Sequence, residues 1–187
     1  ASLVLDDLRM VHVYHSNKAE SNYGSQRRTG LVLTGTNHEL TNSVIAYSSG
    51  SGVFLEGSDH WMVNNFLHDH DYIGGYASAL ELVASDCVIS HNTMTRTGRQ
   101  VLGLRDSFAS IIQHNDFSFA GYLTTDLGLV YGNGIEGDNL VVRYNWFHDN
   151  VSSFKGFGIY YDHGCRDIIT HNNLVWNVPD SGIHNNQ

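Results

Sequence analysis

Proline is almost absent from this chain, whose 187 residues include one proline and 19 glycines. Because proline removes a backbone donor from a strand and glycine allows the positive φ angles of tight turns, this balance favours many short strands joined by tight turns. Helix signals are poor, and no apolar run approaches the roughly 18 residues that a membrane-spanning helix needs. The apolar fraction of 41% is still typical of a globular protein. We therefore expect one all-β domain over residues 1–187, without a membrane span.

Positive charge is also scarce. Ten lysines and arginines against 19 aspartates and glutamates leave a net charge of −9, and the only lysines are Lys18 and Lys155. Proteins that bind nucleic acids normally present a basic face, which releases counterions from the phosphate backbone. The composition therefore predicts no nucleic-acid partner, and it disfavours strongly acidic polymers as partners.

A short asparagine motif recurs along the chain, as LTNSV, VNNFL, SHNTM, QHNDF, RYNWF and THNNL. An apolar residue lies two positions after each asparagine, and the motifs follow one another at intervals of 23 to 30 residues. A period of this length without helical pattern fits one coil of a parallel β-helix, in which each coil adds a rung of about 4.8 Å. Asparagines at equivalent turns can stack as a hydrogen-bonded ladder. The predicted ladder is Asn42, Asn65, Asn92, Asn115, Asn145 and Asn172, and the predicted internal stack is Val44, Leu67, Met94, Phe117, Phe147 and Leu174.

The repeat predicts a right-handed parallel β-helix of about six to seven coils. A leucine-rich repeat shares this repeat length, but no coil supplies its L-x-x-L-x-L pattern. Residues 42–187 form the regular coils, whereas residues 1–41 are expected to form an irregular first coil with a projecting loop in the polar segment 16–30. No capping helix is visible at either end, so we expect the helix to continue into further coils beyond both ends.

The chain contains two cysteines, Cys87 and Cys165, and no CxxC pair. In the proposed register they lie three coils apart, or about 14 Å, which exceeds the ~7 Å Cα separation that a disulfide tolerates. We therefore predict two free thiols.

Three C-terminal segments carry a resemblance to a known family: TTDLGLVYGNG (124–134), YNWFHDN (144–150) and GFGIYYDHGCRDIITHNNLVWN (156–177). They resemble secreted right-handed β-helix glycoside hydrolases and are similar to glycoside hydrolase family 141, which includes fucosidase and xylanase activities. The resemblance implies that Asp126 and Asp162 are the catalytic carboxylate pair, although the family often has a second Asp where this chain has His163. It also implies a secreted or cell-surface protein that acts on a polysaccharide or oligosaccharide.

The chemistry of these residues is consistent with that role, because glycoside hydrolysis needs one protonated carboxyl group and one ionised carboxylate. An alignment that places Gly132 opposite Asp162 predicts that the scaffold needs no carboxylate there, and burial near tyrosines predicts a raised pKa and a proton-donating role. The same alignment separates Asp126 from Asp162 by about 20 Å along the strand. Glycosidase pairs lie roughly 5 to 9.5 Å apart, so Glu136 becomes the alternative partner on geometry.

Aromatic and basic side chains near these acids are the candidate sugar-binding residues: Tyr131, Tyr161, His163 and Arg99. Strand alternation requires that one of Tyr160 and Tyr161 points inward.

Histidines raise the question of a metal, since His91, His114 and His171 each precede a ladder position and HDHD occupies residues 68–71. A solvent-facing stack is favoured, because neighbours in the ladder are a full rung apart, and we expect neither a metal nor a cofactor.

Two other functions stay open. A non-catalytic adhesin, fibre or surface-structure protein would use the same scaffold without catalytic acids. A polysaccharide lyase or epimerase would need Lys or Arg to neutralise a uronate, and the low lysine content disfavours it.

Overall fold

The computed structural model describes residues 2–16 and 27–186. Within these residues the chain forms 21 short strands and no helix. In chain order the strands are β1 (Val4–Asp6), β2 (Arg9–Tyr14), β3 (Leu31–Thr36), β4 (Glu39–Thr41), β5 (Val44–Ser48), β6 (Val53–Ser58), β7 (Trp61–Val63), β8 (Phe66–His70), β9 (Leu80–Ser85), β10 (Val88–Ser90), β11 (Thr93–Thr97), β12 (Leu102–Leu104), β13 (Ile111–Gln113), β14 (Asp116–Ser118), β15 (Leu127–Asn133), β16 (Glu136–Arg143), β17 (Trp146–His148), β18 (Gly156–Asp162), β19 (Arg166–His171), β20 (Leu174–Trp176) and β21 (Ile183–Asn186).

Every third strand joins the same sheet, so the chain visits three sheets in turn. Sheet A contains β1-β4-β7-β10-β13-β16-β19, sheet B contains β2-β5-β8-β11-β14-β17-β20, and sheet C contains β3-β6-β9-β12-β15-β18-β21. All neighbouring strands are parallel, as in β14 with β17 and β15 with β18. Each sheet has seven strands, and the predicted all-β, right-handed parallel β-helix is confirmed.

The first strands already belong to this architecture, since β1 pairs with β4 and β2 with β5. The projecting loop predicted in segment 16–30 lies largely outside the described residues. The described part of the chain contains no helix long and apolar enough to cross a membrane.

The asparagine ladder is present, with a change at each end. The carboxamide oxygen of Asn92 accepts the backbone N–H and the side-chain amide of Asn65, each at 2.9 Å, and the same pair of bonds recurs down the ladder. The ladder is confirmed for Asn65, Asn92, Asn115 and Asn145, but it begins at Ser43 and ends at Asn173. The assignments of Asn42 and Asn172 are therefore wrong by one residue.

The reason for this shift is the backbone of the preceding residue. On every coil the residue before the ladder position has a left-handed φ, such as 52° at Asn42 and 55° at Asn172, which turns its side chain outward. Asparagine tolerates both conformations, so two adjacent polar residues offer two alignments.

The internal stack follows the same correction. Leu67, Met94, Phe117 and Phe147 lie in register and are fully buried, as predicted. Leu174 is instead 59% exposed, and Val44 faces outward. Ile45 and Val175 occupy the two end positions of the stack: Ile45, Leu67, Met94, Phe117, Phe147 and Val175.

Both cysteines are free thiols, as predicted. Burial raises the pKa of the Cys87 thiol to about 11.

Candidate functional site

The outer face of sheet C near its C-terminal end contains Tyr131 and Asp162 from the predicted site. Strand pairing sets Tyr131 of β15 beside Tyr160 of β18, and Asn133 beside Asp162. The prediction that Gly132 lies opposite Asp162 is therefore wrong by one residue. Gly132 pairs with Tyr161 instead.

The two tyrosines of β18 point in opposite directions. Tyr161 packs in the hydrophobic core, its hydroxyl group lies 2.7 Å from the Thr170 hydroxyl, and burial raises its pKa to about 12. Tyr161 therefore cannot present its ring on the outer face, which corrects its assignment as a sugar-binding residue. Tyr160 is the member of the pair that faces outward.

The Asp162 carboxylate receives hydrogen bonds from three side chains of the two neighbouring coils. Its Oδ2 accepts from the Tyr131 hydroxyl at 2.9 Å and from the Asn133 amide at 3.1 Å, and its Oδ1 accepts from the Asn186 amide at 2.8 Å. The residue is 9% exposed. Burial alone would raise its pKa, but these bonds and one from Tyr160 outweigh burial and lower the pKa below its ordinary value.

The lowered pKa contradicts the prediction that Asp162 is a proton donor. A carboxylate stabilised in this way is ionised at neutral pH. It can therefore act as a base, as a nucleophile or as a hydrogen-bond acceptor for a hydroxyl group.

Aromatic rings form a cluster beside this carboxylate, and the cluster is separate from the main core. The rings of Tyr131 and Tyr160 meet edge to face at 5.2 Å, and Phe157 contacts Tyr160 at 4.7 Å. His184 of the last coil stacks on Phe157 at 4.4 Å. The sequence analysis missed Phe157 and His184 as members of this face.

Asp126 lies on the same sheet, immediately before β15. Its side chain is 49% exposed, and Oδ1 is 3.6 Å from Nζ of Lys155. Burial, followed by the negative charges of Asp162 and Asp126, raises the pKa of Tyr160 well above its ordinary value. Tyr160 thus lies within the electrostatic reach of both carboxylates.

Arg99 is buried behind this segment. Its guanidinium group donates to the backbone oxygens of Thr125 at 2.9 Å and Asp126 at 2.7 Å, and it lies 5.4 Å from the centre of the Tyr131 ring. Arg99 therefore fixes the backbone at Asp126 and also borders the outer face of sheet C.

Two further candidates lie apart from the aromatic cluster. Glu136 begins β16 in sheet A and forms a 2.7 Å ion pair with Arg166, with both side chains more than 60% exposed. Among the described residues, no hydrogen bond or ion pair joins Glu136 to Asp162. His163 is exposed in the turn after Asp162, where its φ is 38°.

The histidines form an outer stack at the ladder turn. The His91 and His114 rings stack at 5.0 Å, and Tyr144 continues the stack at 5.3 Å, while His171 meets Tyr144 edge to face. Within residues 2–16 and 27–186, no three His, Cys, Asp or Glu side chains are grouped so that they could hold a metal ion.

Comparison with known proteins bears on the fold. A family model described as "Right handed beta helix region" matches residues 9–187. The searches of curated proteins and of solved structures gave no match. These comparisons give no support to the narrower resemblance to glycoside hydrolase family 141.

Proposed function

We propose that this chain, which belongs to the right-handed β-helix family, binds a polysaccharide along the outer face of sheet C and hydrolyses a glycosidic bond beside Asp162. The single observation that carries the proposal is the set of bonds to the Asp162 carboxylate. An aspartate at a β-helix turn ordinarily accepts backbone N–H groups of its own turn. Asp162 instead binds the side chains of Tyr131, Asn133 and Asn186 from other strands.

The lowered pKa of Asp162 assigns it the ionised role of the carboxylate pair, either base or nucleophile. The pair then needs a proton donor. Asp126 is the candidate, because it keeps half of its side chain exposed and shares Tyr160 with Asp162 as an electrostatic neighbour. The role requires the Asp126 segment to fold back toward Asp162 on substrate binding, because the strand register sets Asp126 about seven residues before Asp162 and a glycosidase pair lies roughly 5 to 9.5 Å apart. Glu136 is the weaker candidate, because it lies in sheet A and is paired with Arg166.

The aromatic cluster supports a sugar ligand. Pyranose rings have apolar C–H faces that pack on aromatic rings and polar rims that accept and donate hydrogen bonds. Tyr131, Phe157 and Tyr160 form such an apolar surface next to a carboxylate and the Asn133 and Asn186 amides. A secreted or cell-surface location would follow from a polysaccharide substrate, and it belongs to the same proposal.

Activity on a panel of plant and algal glycans tests this function. We expect the unaltered protein to release reducing ends, and Asp162→Asn to lose at least about 100-fold of that activity, the lower range for a general base. Asp167→Asn is the matched control, because Asp167 is an exposed aspartate of the same coil.

The substitution also has a structural effect, because an amide cannot accept all the hydrogen bonds that the carboxylate accepts. We expect Asp162→Asn to cost about 1–3 kcal/mol of stability, so activity should be assayed well below the melting temperature of the variant. An active Asp162→Asn protein would refute the role of Asp162. Unsaturated products would indicate a lyase, and an inert protein would favour the adhesin or fibre alternative.

A further inference from the structure

Three arginine side chains lie near one buried glutamate on the outer face of sheet C, in the coils that precede Asp162. We call Arg27, Arg99, Arg105 and Glu81 the arginine cluster. Nε of Arg105 lies 3.3 Å from Oε2 of Glu81, and the Glu81 side chain is fully buried. The guanidinium carbons of Arg99 and Arg27 lie 4.0 and 5.6 Å from the centre of the Tyr76 ring. Arg99 and Arg105 also lie 5.4 and 5.9 Å from the centre of the Tyr131 ring, and the charges of Arg105, Glu81 and Arg99 all act on Arg27, so the four charged groups form one local assembly.

The charges of this assembly do not balance. Three guanidinium groups against one carboxylate leave an excess of two positive charges, in a chain whose net charge is −9. The crowding is visible at Arg27, whose pKa is lowered first by burial and then by the charges of Arg105 and Arg99. Asp71 interacts with Arg99 and Glu81, but burial raises its pKa to about 8, so it is largely protonated near neutral pH. Buried charge without a counter-charge is unfavourable.

Hydrogen-bonding capacity is also unused in the cluster. Nε of Arg99 and Nη2 of Arg105 are buried and have no hydrogen-bond partner, and Arg99 as a whole is only 4% exposed. The Arg105 side chain remains 17% exposed and Arg27 is half-buried, so the cluster reaches solvent. The Glu81 carboxylate lies over Gly103, where a Cβ atom would come within 2.7 Å of both its oxygens.

We propose that the arginine cluster binds the anionic substituent, a carboxylate or a sulfate ester, of a sugar residue in the polysaccharide that is cleaved beside Asp162. The choice of a glycan as ligand rests on the proposed function, whereas the preference for an anion rests on the cluster. The planar guanidinium group offers paired N–H donors that match carboxylate and sulfate oxygens.

The position of the cluster fits this role. Arg105 follows Leu104, which pairs with Gly132, so Arg105 lies beside Asn133, the strand partner of Asp162. Arg105 and Asp162 are thus two rungs apart, or about 10 Å, which a short oligosaccharide can span. The Tyr131 ring lies 5.9 Å from the Arg105 guanidinium carbon, and its hydroxyl group donates to Asp162. One tyrosine therefore contacts both ends of the expected ligand path.

Binding measurements on the Asp162→Asn protein test the inference without turnover. Isothermal titration calorimetry would compare an oligogalacturonate, its carboxyl-reduced neutral counterpart and a sulfated galactan oligosaccharide of the same length. We expect one anionic oligosaccharide to bind at least about tenfold more tightly than the neutral one, the range for a hydrogen bond to a charged group. Its affinity should fall as salt is added. The better of the two anionic ligands identifies carboxylate or sulfate as the recognised group.

Two variants with opposite charge changes make the test specific. Arg105→Gln should weaken binding of the anionic ligand by about tenfold and leave binding of the neutral ligand unchanged. Glu81→Gln should tighten binding of the anionic ligand, because it removes the competing carboxylate. Far-UV circular dichroism would establish that each variant is folded. Three results would overturn the inference. The first is that Arg105→Gln weakens binding of the anionic and the neutral ligand equally, and the second is that Glu81→Gln weakens binding of the anionic ligand. The third is that none of the oligosaccharides binds.

A failure of the arginine cluster to bind anions can be told apart from a failure of the proposed hydrolase function. Tight binding of an anionic oligosaccharide that the unaltered protein never cleaves would uphold the cluster and refute the hydrolase. Cleavage of neutral glycans, with no preference for anionic ones, would uphold the hydrolase and overturn the cluster.

Discussion

Replacement of Asn115 by alanine tests the asparagine ladder at its centre. Oδ1 of Asn115 accepts the Asn92 backbone N–H at 2.9 Å and the Asn92 side-chain amide at 3.0 Å. Its Nδ2 donates to the Ile89 backbone oxygen at 2.9 Å and to Oδ1 of Asn145 at 3.0 Å. Asn115→Ala removes all four bonds, and it leaves the buried Asn92 N–H without this acceptor.

The magnitude follows from the environment of these groups. A hydrogen bond contributes about 0.5–1.5 kcal/mol net, and a buried donor left without an acceptor costs about 1–3 kcal/mol. The partners of Asn115 retain some other bonds, since the Asn92 amide still donates to the Met62 and Ser90 backbone oxygens. We therefore expect a loss of about 3–5 kcal/mol in the free energy of unfolding. For a chain of this length that loss lowers the melting temperature by roughly 10 °C.

Urea unfolding followed by far-UV circular dichroism would measure the change. Thr93→Ala is the matched control, because Thr93 is exposed one residue after Asn92, and its loss should stay within about 0.5 kcal/mol. A loss below about 1 kcal/mol in Asn115→Ala would show that the ladder contributes little to stability and would refute this reasoning.

Three further predictions concern the core and two buried titratable groups. Phe117→Ala should lower the free energy of unfolding by about 3–5 kcal/mol in the same assay, because it leaves a cavity in the core. The same substitution at the exposed Phe108 is the control and should lower it far less. Burial raises the pKa of Asp71 to about 8 from an ordinary value of 3.8, so the folded state binds this proton more tightly than the unfolded state does. The free energy of unfolding should therefore fall as pH rises from about 4 through about 8, and Asp71→Asn should remove that part of the fall. A difference between the two proteins that stays constant over this pH range would contradict the assignment. Burial raises the pKa of the Cys87 thiol to about 11, so iodoacetamide should alkylate Cys87 only after the protein unfolds. The less buried Cys165 should react earlier. Equal alkylation rates of the two cysteines in the folded protein would argue against the burial of Cys87.

The fold could be predicted from the sequence because the ladder imposes the same requirement on every coil. Asn65, Asn92, Asn115 and Asn145 each bind the next coil in the same way, so the chain repeats one residue type at one position. The prediction failed by one residue where two polar residues adjoin, at Asn42 with Ser43 and in the Asn172–Asn173 pair. Either member of such a pair satisfies the local pattern, and only the strand register decides between them.

The site was harder to predict because it depends on that register. The sequence similarity of two strand segments suggests an alignment that matches Gly128 with Gly158. The segments are Gly128-Leu129-Val130-Tyr131 and Gly158-Ile159-Tyr160-Tyr161. In the structure, Gly128 pairs with Phe157 instead. This one-residue error placed Tyr161 on the outer face and hid Asn133 as the neighbour of Asp162. Asp162 itself could be proposed from the sequence, because a carboxylate after an apolar strand is conspicuous in any register.

The arginine cluster gave no local signal. Its arginines come from three separate segments of the chain, and each occurs in the sequence as an ordinary isolated charge. The net charge of −9 disfavours acidic polymers only on average, so it is compatible with the anionic ligand that we propose. A local excess of positive charge becomes visible only when the coils bring Arg27, Arg99 and Arg105 close to one another and to Glu81.

The rows of side chains along the β-helix differ in how far they repeat from coil to coil. Rows that hold a β-helix together repeat similar side chains, because each residue must satisfy the same neighbour one rung away. The row through Asp162 does not repeat: it runs Thr34, Glu56 and Val83 in early coils, and Asn133, Asp162 and Asn186 in late ones. A row of sheet A varies as well, since it runs Thr41, Val63, Ser90, Gln113 and Arg143, so variation alone does not mark a binding face. What distinguishes the late members of the Asp162 row is that Asn133 and Asn186 both donate to the Asp162 carboxylate, so that one polar group joins three coils.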